Sequence, residues 1–155
     1  MSRLLLEIQR VAKTSQGLPS DQQLHLWAEA ALETGTDEVE MVIRLVDEPE
    51  SQQLNRDYRG KDKPTNVLSF PFEAPEMVST PLIGDLVVCV PLVALEADQQ
   101  SKTLEAHWAH MVVHGVLHLQ GYDHQNDHEA QIMEDRERDI LLSLQFSDPY
   151  INEKQ

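Results

Sequence analysis

The amino-acid sequence predicts an α+β fold, in which a small mixed β-sheet is covered by helices. Two features of the 155-residue chain support this prediction. Segments that alternate apolar and polar residues, typical of half-buried strands, lie before residue 90, whereas segments with helical periodicity dominate the remainder. The length is close to the most common size of one domain, so we expect residues 1–155 to form a single domain around one core.

The beginning of the chain predicts a strand, a helix and a second strand. Apolar and polar side chains alternate over residues 4–10 and again over residues 38–46, and both segments therefore predict strands. Between them, Ser20 and Gln23 have the spacing of a capping box, which marks the start of a helix. Glycine commonly ends helices, so we expect this helix to extend to Gly35.

The middle of the chain predicts a short helix and a short strand joined by loops. The helix begins at Asp47 and ends near Tyr58, and the apolar run over residues 67–70 forms the strand. Three prolines predict an irregular connection over residues 71–81.

The remainder of the chain predicts one more strand and then only helices. Gly84 and Asp85 open a strand over residues 86–90. Three helices are expected after it, over residues 91–100, 103–119 and 127–144. The last helix carries acidic side chains that suit a solvated face or a docking surface for a basic partner: Glu134, Asp135, Glu137 and Asp139.

Charge is distributed unevenly along the chain. The formal net charge of −15 argues against a general polyanion binder, because contacts with phosphates need Lys and Arg. Four of the 12 basic residues nevertheless fall within eight positions: Arg56, Arg59, Lys61 and Lys63. This cluster is either a solvated loop or the place to which an anionic substrate is steered.

Cysteine usage and hydropathy indicate a cytoplasmic protein without a membrane partner. The only cysteine, Cys89, lies in an apolar run, which predicts a small buried hydrophobic residue rather than a disulfide or a catalytic thiol. No segment approaches the ~20 consecutive apolar residues of a membrane-spanning helix, and the N-terminus does not resemble a signal peptide.

Three histidines give the strongest chemical signal in the sequence. His114 and His118 are four residues apart, a spacing that places two side chains on one helical face, ~5–6 Å apart. Two imidazoles so placed can bind one ion at ~2.0–2.1 Å. Gly121 permits a turn that brings His124 back to the same ion. Three protein ligands leave a fourth position for water, as in catalytic zinc sites, so the sequence predicts one zinc ion per chain.

The other histidines leave one rival ligand set open. His107 and His110 lie on the same predicted helix, and the set His110, His114 and His118 also has helical spacing. We prefer the set that includes His124, because a glycine at position 121 is explained if the chain reverses direction after the helix. Ordinary structural roles are expected for the other four histidines: His25, His107, His110 and His128.

The position after the first ligand limits the chemistry. The spacing matches that of the metzincin proteases, His-Glu-x-x-His-x-x-Gly-x-x-His, but Gly115 stands where their general-base glutamate would be. A hydrolase with this site needs a base from elsewhere, or relies on a metal-bound water whose pKa is lowered to ~7. This difference argues against peptide hydrolysis and is compatible with phosphodiester cleavage, where positioning and charge neutralisation matter more.

Two blocks of the sequence closely resemble the YbeY family of bacterial endoribonucleases, also called rRNA maturation factors. The first block runs from Asn55 to Pro71 and the second from His114 to His124, while Gly84-Asp85 is a weaker third element. The similarity extends along the chain to the tail Asp148-Pro149-Tyr150. Members of the family often carry Asp where this chain has Asn66.

The resemblance implies a fold and an activity. It implies a metal-binding helix akin to that of zincins, with zinc on His114, His118 and His124. It also implies single-strand-selective cleavage of RNA in the maturation of the 3′ end of 16S rRNA and in quality control of the small ribosomal subunit. RNA and the small subunit with its proteins are then the expected partners, and DNA is not.

The resemblance also assigns a role to the basic cluster. Arg59 matches the family's functional arginine, which contacts or stabilises phosphate, and a guanidinium suits this role because it binds phosphate through two donors. Lys61 and Lys63 are either positioning charges for the substrate or parts of a solvated loop. Near the histidines, Asp123 either orients a ligand or caps the turn, and Asp85 is a candidate to face the site from its strand.

Two other classes of protein stay open at this stage. A non-nuclease metallohydrolase, such as a peptidase, would take its base from outside the motif, but a peptide has little use for the cluster around Arg59. A ribosome-binding factor with a structural zinc would need a closed site with four ligands. His128 is the candidate for that fourth ligand.

Overall fold

The computed structural model of the protein describes residues 3–14, 17–33, 38–73 and 80–150. Within these ranges the strands are β1 Leu4–Arg10, β2 Val39–Val46, β3 Val67–Pro71 and β4 Leu82–Cys89. The helices are α1 Asp21–Ala30, α2 Glu48–Arg59, α3 Val90–Gln99, α4 Leu104–Leu119 and α5 Asp127–Ser143. The strands form one mixed sheet in the order β1-β2-β4-β3, in which β3 is antiparallel to β4 and the other pairs are parallel. The predicted α+β fold is therefore confirmed.

The main core lies between one face of the sheet and helix α4. Alternate residues of β2 and β4 point into it, among them Ile43 and Leu86, which are adjacent in the sheet and fully buried. Helix α4 contacts β3 and β4 on one side and α1, α3 and α5 on the others. It is buried on nearly all sides, which explains its almost continuous apolar sequence. No helix in the described ranges is long and apolar enough to cross a membrane.

Helix α2 covers the opposite face of the sheet. Leu54 of α2 packs with Phe70 on a small cluster formed by Val46, Leu68 and Val87. Helices α2 and α4 therefore lie on opposite faces, and both reach the edge of the sheet that β3 forms.

Two predicted boundaries were wrong. The capping box at Ser20 and Gln23 is present, but α1 ends at Ala30 instead of continuing to Gly35, which itself lies outside the described residues. Long-range hydrogen bonds hold Glu33 outside the helix: its N–H donates to the Gln120 side chain at 2.9 Å, and its carbonyl accepts from Arg3 at 2.9 Å.

Strand β4 begins before Gly84 rather than after it. Gly84 pairs with Met41 on one side and Pro71 on the other, so it lies inside the sheet. Its φ of +143° disfavours any residue with a Cβ, and a Cβ built there would lie 2.3 Å from the Phe70 carbonyl oxygen. The glycine is therefore required by the close approach of β3 and not by a turn at the start of the strand.

We expect Gly84→Ala to lower the free energy of unfolding by about 2–4 kcal/mol, because it combines backbone strain with overpacking. Urea denaturation measures the loss. Gly60→Ala is the matched control: Gly60 also has a positive φ, 74°, but no atom lies within 4 Å of a Cβ added there. That variant should lose only about 1–2 kcal/mol. Equal losses in the two variants would show that the contact with Phe70 is unimportant.

Candidate metal centre

The histidines of the predicted site are brought together at the C-terminal end of α4. His114 and His118 lie one helical turn apart, and their Nε2 atoms are 3.1 Å from each other. After the helix, Gly121 adopts a φ of +102°, and Tyr122 N–H donates to the Leu117 carbonyl at 3.1 Å. This turn returns the chain, so that one ring nitrogen from each of His114, His118 and His124 lies within 4.8 Å of the others.

Hydrogen bonds to the outer ring nitrogens set the tautomers of two of these histidines. His114 Nδ1 lies 2.6 Å from a carboxylate oxygen of Glu137, and His118 Nδ1 lies 2.9 Å from the Tyr122 carbonyl oxygen. Both oxygens only accept, so each Nδ1 carries a proton and donates it. In the neutral imidazoles the two Nε2 atoms then carry only lone pairs at a separation of 3.1 Å, and a cation bound to both would remove the repulsion between them.

Burial also favours the neutral form of His118. Desolvation lowers the pKa of its imidazole, and the proximity of His114 lowers it further. Neutral imidazole is the form that binds metals, so the site is prepared for an ion without having to lose a proton from this ligand.

The functional residue that the sequence analysis missed is Glu137. We expected it on a solvated face or a docking surface of the last helix, but its side chain is fully buried. One carboxylate oxygen accepts from His114, and the other accepts from His110 Nε2 at 2.8 Å and from the Tyr150 hydroxyl. A signal for this was present in the sequence: Glu137 lies on the apolar stripe of α5, between Met133 and Ile140.

Glu137 is ionised despite its burial. Desolvation alone would raise the pKa of its carboxyl, but the hydrogen bonds from His110 and His114 outweigh it and hold the pKa well below the usual range. The buried negative charge is thus satisfied by three donors, as buried charges in proteins must be.

Glu137 also belongs to a second group with ligand-like spacing, formed with His110 and His114. Its carboxylate oxygens lie 2.6 and 2.8 Å from the two imidazole nitrogens. These are hydrogen-bonding distances, shorter than the ~3.3 Å that separates two ligands on a tetrahedral zinc with bonds of ~2.0–2.1 Å. We therefore interpret this group as support for His114 and not as a metal site. The rival set His110, His114 and His118 also loses its basis, because His110 Nε2 is hydrogen-bonded to Glu137.

The histidines open into a groove of about 750 Å³ that passes over the edge of the sheet. Tyr58 and Arg59 from the end of α2 line it, together with residues of β3 and the three histidines. Arg59 thus lies in the same groove as residues about 55 positions later in the chain. Among the described residues the Arg59 guanidinium has no hydrogen bond or ion pair, whereas the Arg56 guanidinium lies 3.7 Å from carboxylate oxygens of Asp57 and Asp62.

Buried polar side chains of α2 hold the basic loop in place. The Ser51 hydroxyl donates to the Thr65 carbonyl at 2.8 Å, and Asn55 Nδ2 donates to the Lys63 carbonyl at 2.8 Å. The side chains of Lys61 and Lys63 are exposed and do not line the groove. The structure therefore brings Arg59 to the histidines but leaves both lysines outside.

Neither of the two candidate carboxylates near the site, Asp123 and Asp85, orients a metal ligand in the structure. Asp123 accepts a hydrogen bond from the backbone N–H of His124 at 2.7 Å, so it stabilises the turn. Asp85 is adjacent to Val42 and Phe70 in the sheet and points away from α4. Desolvation and the nearby Glu7 raise the pKa of its carboxyl. The hypothesis that Asp85 faces the histidines is wrong, because strand β4 turns its side chain to the other face.

The structure gives a packing reason for Gly115. A Cβ at this position would lie 2.7 Å from Leu86 Cδ2, and Leu86 is fully buried. The Ser69 hydroxyl donates to the Gly115 carbonyl at 3.2 Å. Position 115 thus faces the sheet, and the space that a glutamate there would need is occupied by β4.

Asn66 has a partner that suits an amide. Its Nδ2 donates to both oxygens of Glu96, at 3.0 and 3.2 Å, while Glu96 also accepts from His107 at 2.9 Å. The hydrogen bond from His107 lowers the pKa of Glu96. An aspartate at position 66 could not donate to this carboxylate, so the asparagine matches its local surroundings.

Comparison with known proteins identifies the family of the chain. The family model described as endoribonuclease YbeY matches residues 10–145. Among solved structures, the solution structure of TM1509 from Thermotoga maritima is similar, with 27% sequence identity and a TM-score of 0.54. The match covers 92% of this chain and 97% of that one. The chain therefore belongs to the YbeY family of endoribonucleases, metal-dependent hydrolases that act in rRNA processing.

Proposed function

We propose that the protein is a zinc-dependent endoribonuclease, selective for single strands, which acts in the maturation of the 3′ end of 16S rRNA and in quality control of the small ribosomal subunit. The observation that carries the proposal is the convergence of His114, His118 and His124 in the groove that Arg59 also lines. In this proposal residues 1–155 form one domain, and the protein encounters its rRNA substrate in the cytoplasm.

The donor set fits zinc. Two nitrogens on a tetrahedral zinc with bonds of ~2.0–2.1 Å are ~3.3 Å apart, and the Nε2 atoms of His114 and His118 are 3.1 Å apart. Three neutral imidazoles are typical ligands of catalytic zinc, and one ion per chain is expected. Zinc in such a site supplies positive charge to a phosphate oxygen and an acidified water for hydrolysis.

Arg59 is the proposed catalytic residue of the chain. Its guanidinium has no competing ion pair in the described part of the chain, so it is available to a phosphate in the groove. A fixed positive charge there stabilises negative charge that develops on the phosphate during cleavage. Arg59 also binds the substrate, and Lys61 and Lys63 are proposed to position the RNA strand where it leaves the groove.

Two features speak against the alternative functions. A peptidase of the metzincin type needs a carboxylate beside the first histidine, and the packing of Gly115 on Leu86 leaves no room for one. A structural zinc needs four ligands, and the ligand group that the described residues form here has three members, without His128. We therefore favour an open catalytic site, with RNA and the small ribosomal subunit as partners, and propose neither a DNA nor a membrane partner.

We expect protein purified without chelator to contain about one zinc per chain and to cleave single-stranded RNA faster than duplex RNA. His114→Ala and His118→Ala should each lose both zinc and cleavage, because two nitrogens cannot retain the ion at ordinary concentrations. Metal analysis and cleavage assays, with and without chelator, measure this. His128→Ala is the control and should keep both. Full zinc occupancy in all three of the ligand variants His114→Ala, His118→Ala and His124→Ala would overturn the site.

Glu137→Gln should weaken zinc binding about 10- to 100-fold, because the amide no longer fixes the His114 tautomer or raises the basicity of its Nε2. Competition with a chromophoric chelator measures the affinity directly. Asp139→Asn removes the same charge from an exposed position of the same helix and should leave the affinity unchanged. Unchanged zinc affinity in a folded Glu137→Gln variant would contradict this role.

Arg59→Glu should reduce RNA cleavage by at least ~10²–10³-fold while zinc stays bound, since the loss of one donor to a developing charge typically has this effect. Arg56→Glu is the matched control, as it introduces the same charge change one turn earlier on α2 and outside the groove. Cleavage rate and bound zinc are measured in the same preparations. If both variants cleave RNA equally well, Arg59 is a solvated charge and not a catalytic residue.

A further inference from the structure

Next to Arg59, the groove contains an exposed aromatic ring that the chemistry described so far does not use. Tyr58 is 51% exposed, a large fraction for an aromatic side chain, and it lines the groove together with the histidines. An exposed aromatic ring beside a phosphate-binding arginine is a typical feature of sites for single-stranded nucleic acid.

The ring of Tyr58 is held in place from one side. Its centroid lies 4.5 Å from that of Phe70, with 38° between the ring planes. Phe70 in turn packs on the cluster of Val46, Leu68 and Val87 beneath the sheet. With one face supported by Phe70 and half of the residue exposed, Tyr58 presents its remaining surface to the groove. A ring that is already ordered loses little conformational entropy when a ligand stacks on it.

The position of Tyr58 at the end of α2 places it beside the charged group. Tyr58 and Arg59 are the last two residues of α2, and Gly60, with a φ of +74°, ends the helix directly after them. The hydrogen bonds from Ser51 and Asn55 to the following loop keep this end of the helix fixed. A nucleotide carries a base and a phosphate on one sugar, and these adjacent residues offer one partner for each.

We propose that Tyr58, supported by Phe70, is a stacking platform for one nucleobase of single-stranded RNA next to the scissile phosphate. This proposal rests on the proposed endoribonuclease function and names a binding site for its substrate. It supplies a physical basis for single-strand selectivity, because bases in a duplex stack on one another and cannot reach the ring. Stacking is tolerant of base identity, so the platform accepts any base with only modest preferences.

Substitutions at Tyr58 separate stacking from packing. Tyr58→Leu keeps an apolar side chain over Phe70 but removes the aromatic face. Tyr58→Trp retains the face. We expect Tyr58→Leu to lower kcat/KM on a short single-stranded RNA by about 5- to 100-fold, the loss typical of one stacked base, with bound zinc unchanged. Tyr58→Trp should stay within about threefold of the wild type. Phe72→Ala, which removes an exposed aromatic ring outside the groove, is the control.

A second set of substrates tests whether the ring contacts a base. Single abasic nucleotides, which retain the phosphate, are placed one at a time around the mapped cleavage site. At one position the abasic substrate should lower the wild-type rate about as much as Tyr58→Leu does. On that substrate, wild type and Tyr58→Leu should cleave at the same rate within about twofold, because neither can stack. If the loss caused by the abasic nucleotide and the loss caused by Tyr58→Leu multiply at every position, the proposal is overturned. A Tyr58→Leu variant with wild-type activity would also overturn it.

Binding by the metal-free protein keeps this test independent of the proposed activity. A single-stranded RNA with 2-aminopurine at the identified position, or at each position in turn, is titrated with chelator-treated protein. Stacking should quench the fluorescence with wild type and Tyr58→Trp but not with Tyr58→Leu. Absence of RNA cleavage by zinc-loaded wild type would refute the proposed function alone. Equal quenching by wild type and Tyr58→Leu would refute the platform alone.

Discussion

Helix α4 lies so close to the sheet that a side chain at position 115 would have to displace the buried Leu86, and this contact positions the helix that carries two of the three histidines. The helix is anchored there by Leu86 packing on Gly115 and by the hydrogen bond from Ser69. With one side of the helix fixed on β4, the side chains of His114 and His118 project over the edge strand β3. The same contact disfavours a glutamate after the first ligand, so the packing of the core also limits the chemistry of the site.

A buried carboxylate controls the electrostatics of the candidate metal centre. A fully buried, ionised Glu137 receives donors from His110, His114 and Tyr150, and this arrangement determines which nitrogen of His114 is free to bind a metal. Removing one partner of a buried charge destabilises a protein more than replacing the whole group by apolar residues. The three donors and the carboxylate therefore act as a unit. The C-terminal tail, through Tyr150, thereby contributes to a site more than 25 residues earlier in the chain.

The groove joins the two faces of the sheet at its edge. Helix α2 on one face contributes Tyr58 and Arg59, and helix α4 and its turn on the other face contribute the histidines. Because the groove crosses an edge strand, a substrate can enter without the opening of any packed layer. The protein carries a net charge of −15, so most of its surface repels an anionic polymer, whereas Arg59 gives this groove a positive charge.

The sequence by itself determined the features that depend on near neighbours. Alternation and helical periodicity predicted the strands and helices, the capping box located the start of α1, and the spacing of His114, His118 and His124 around Gly121 predicted a turn that the structure contains. The resemblance to the YbeY family added Arg59. These features could be predicted because each follows from residues a few positions apart, or from a motif of contiguous residues.

Only the tertiary structure decided the features that depend on distant segments. The role of Glu137 required α5 to pack beside α4, and its place on an apolar stripe indicated burial but not the partner. The end of α1 depends on the hydrogen bonds of Glu33, which accepts from Arg3 and donates to Gln120, and the need for glycine at positions 84 and 115 depends on Phe70 and Leu86. The pairing of Tyr58 with Phe70 is likewise invisible in a linear pattern. In each case the deciding quantity is a distance between segments far apart in the chain, which local periodicity does not encode.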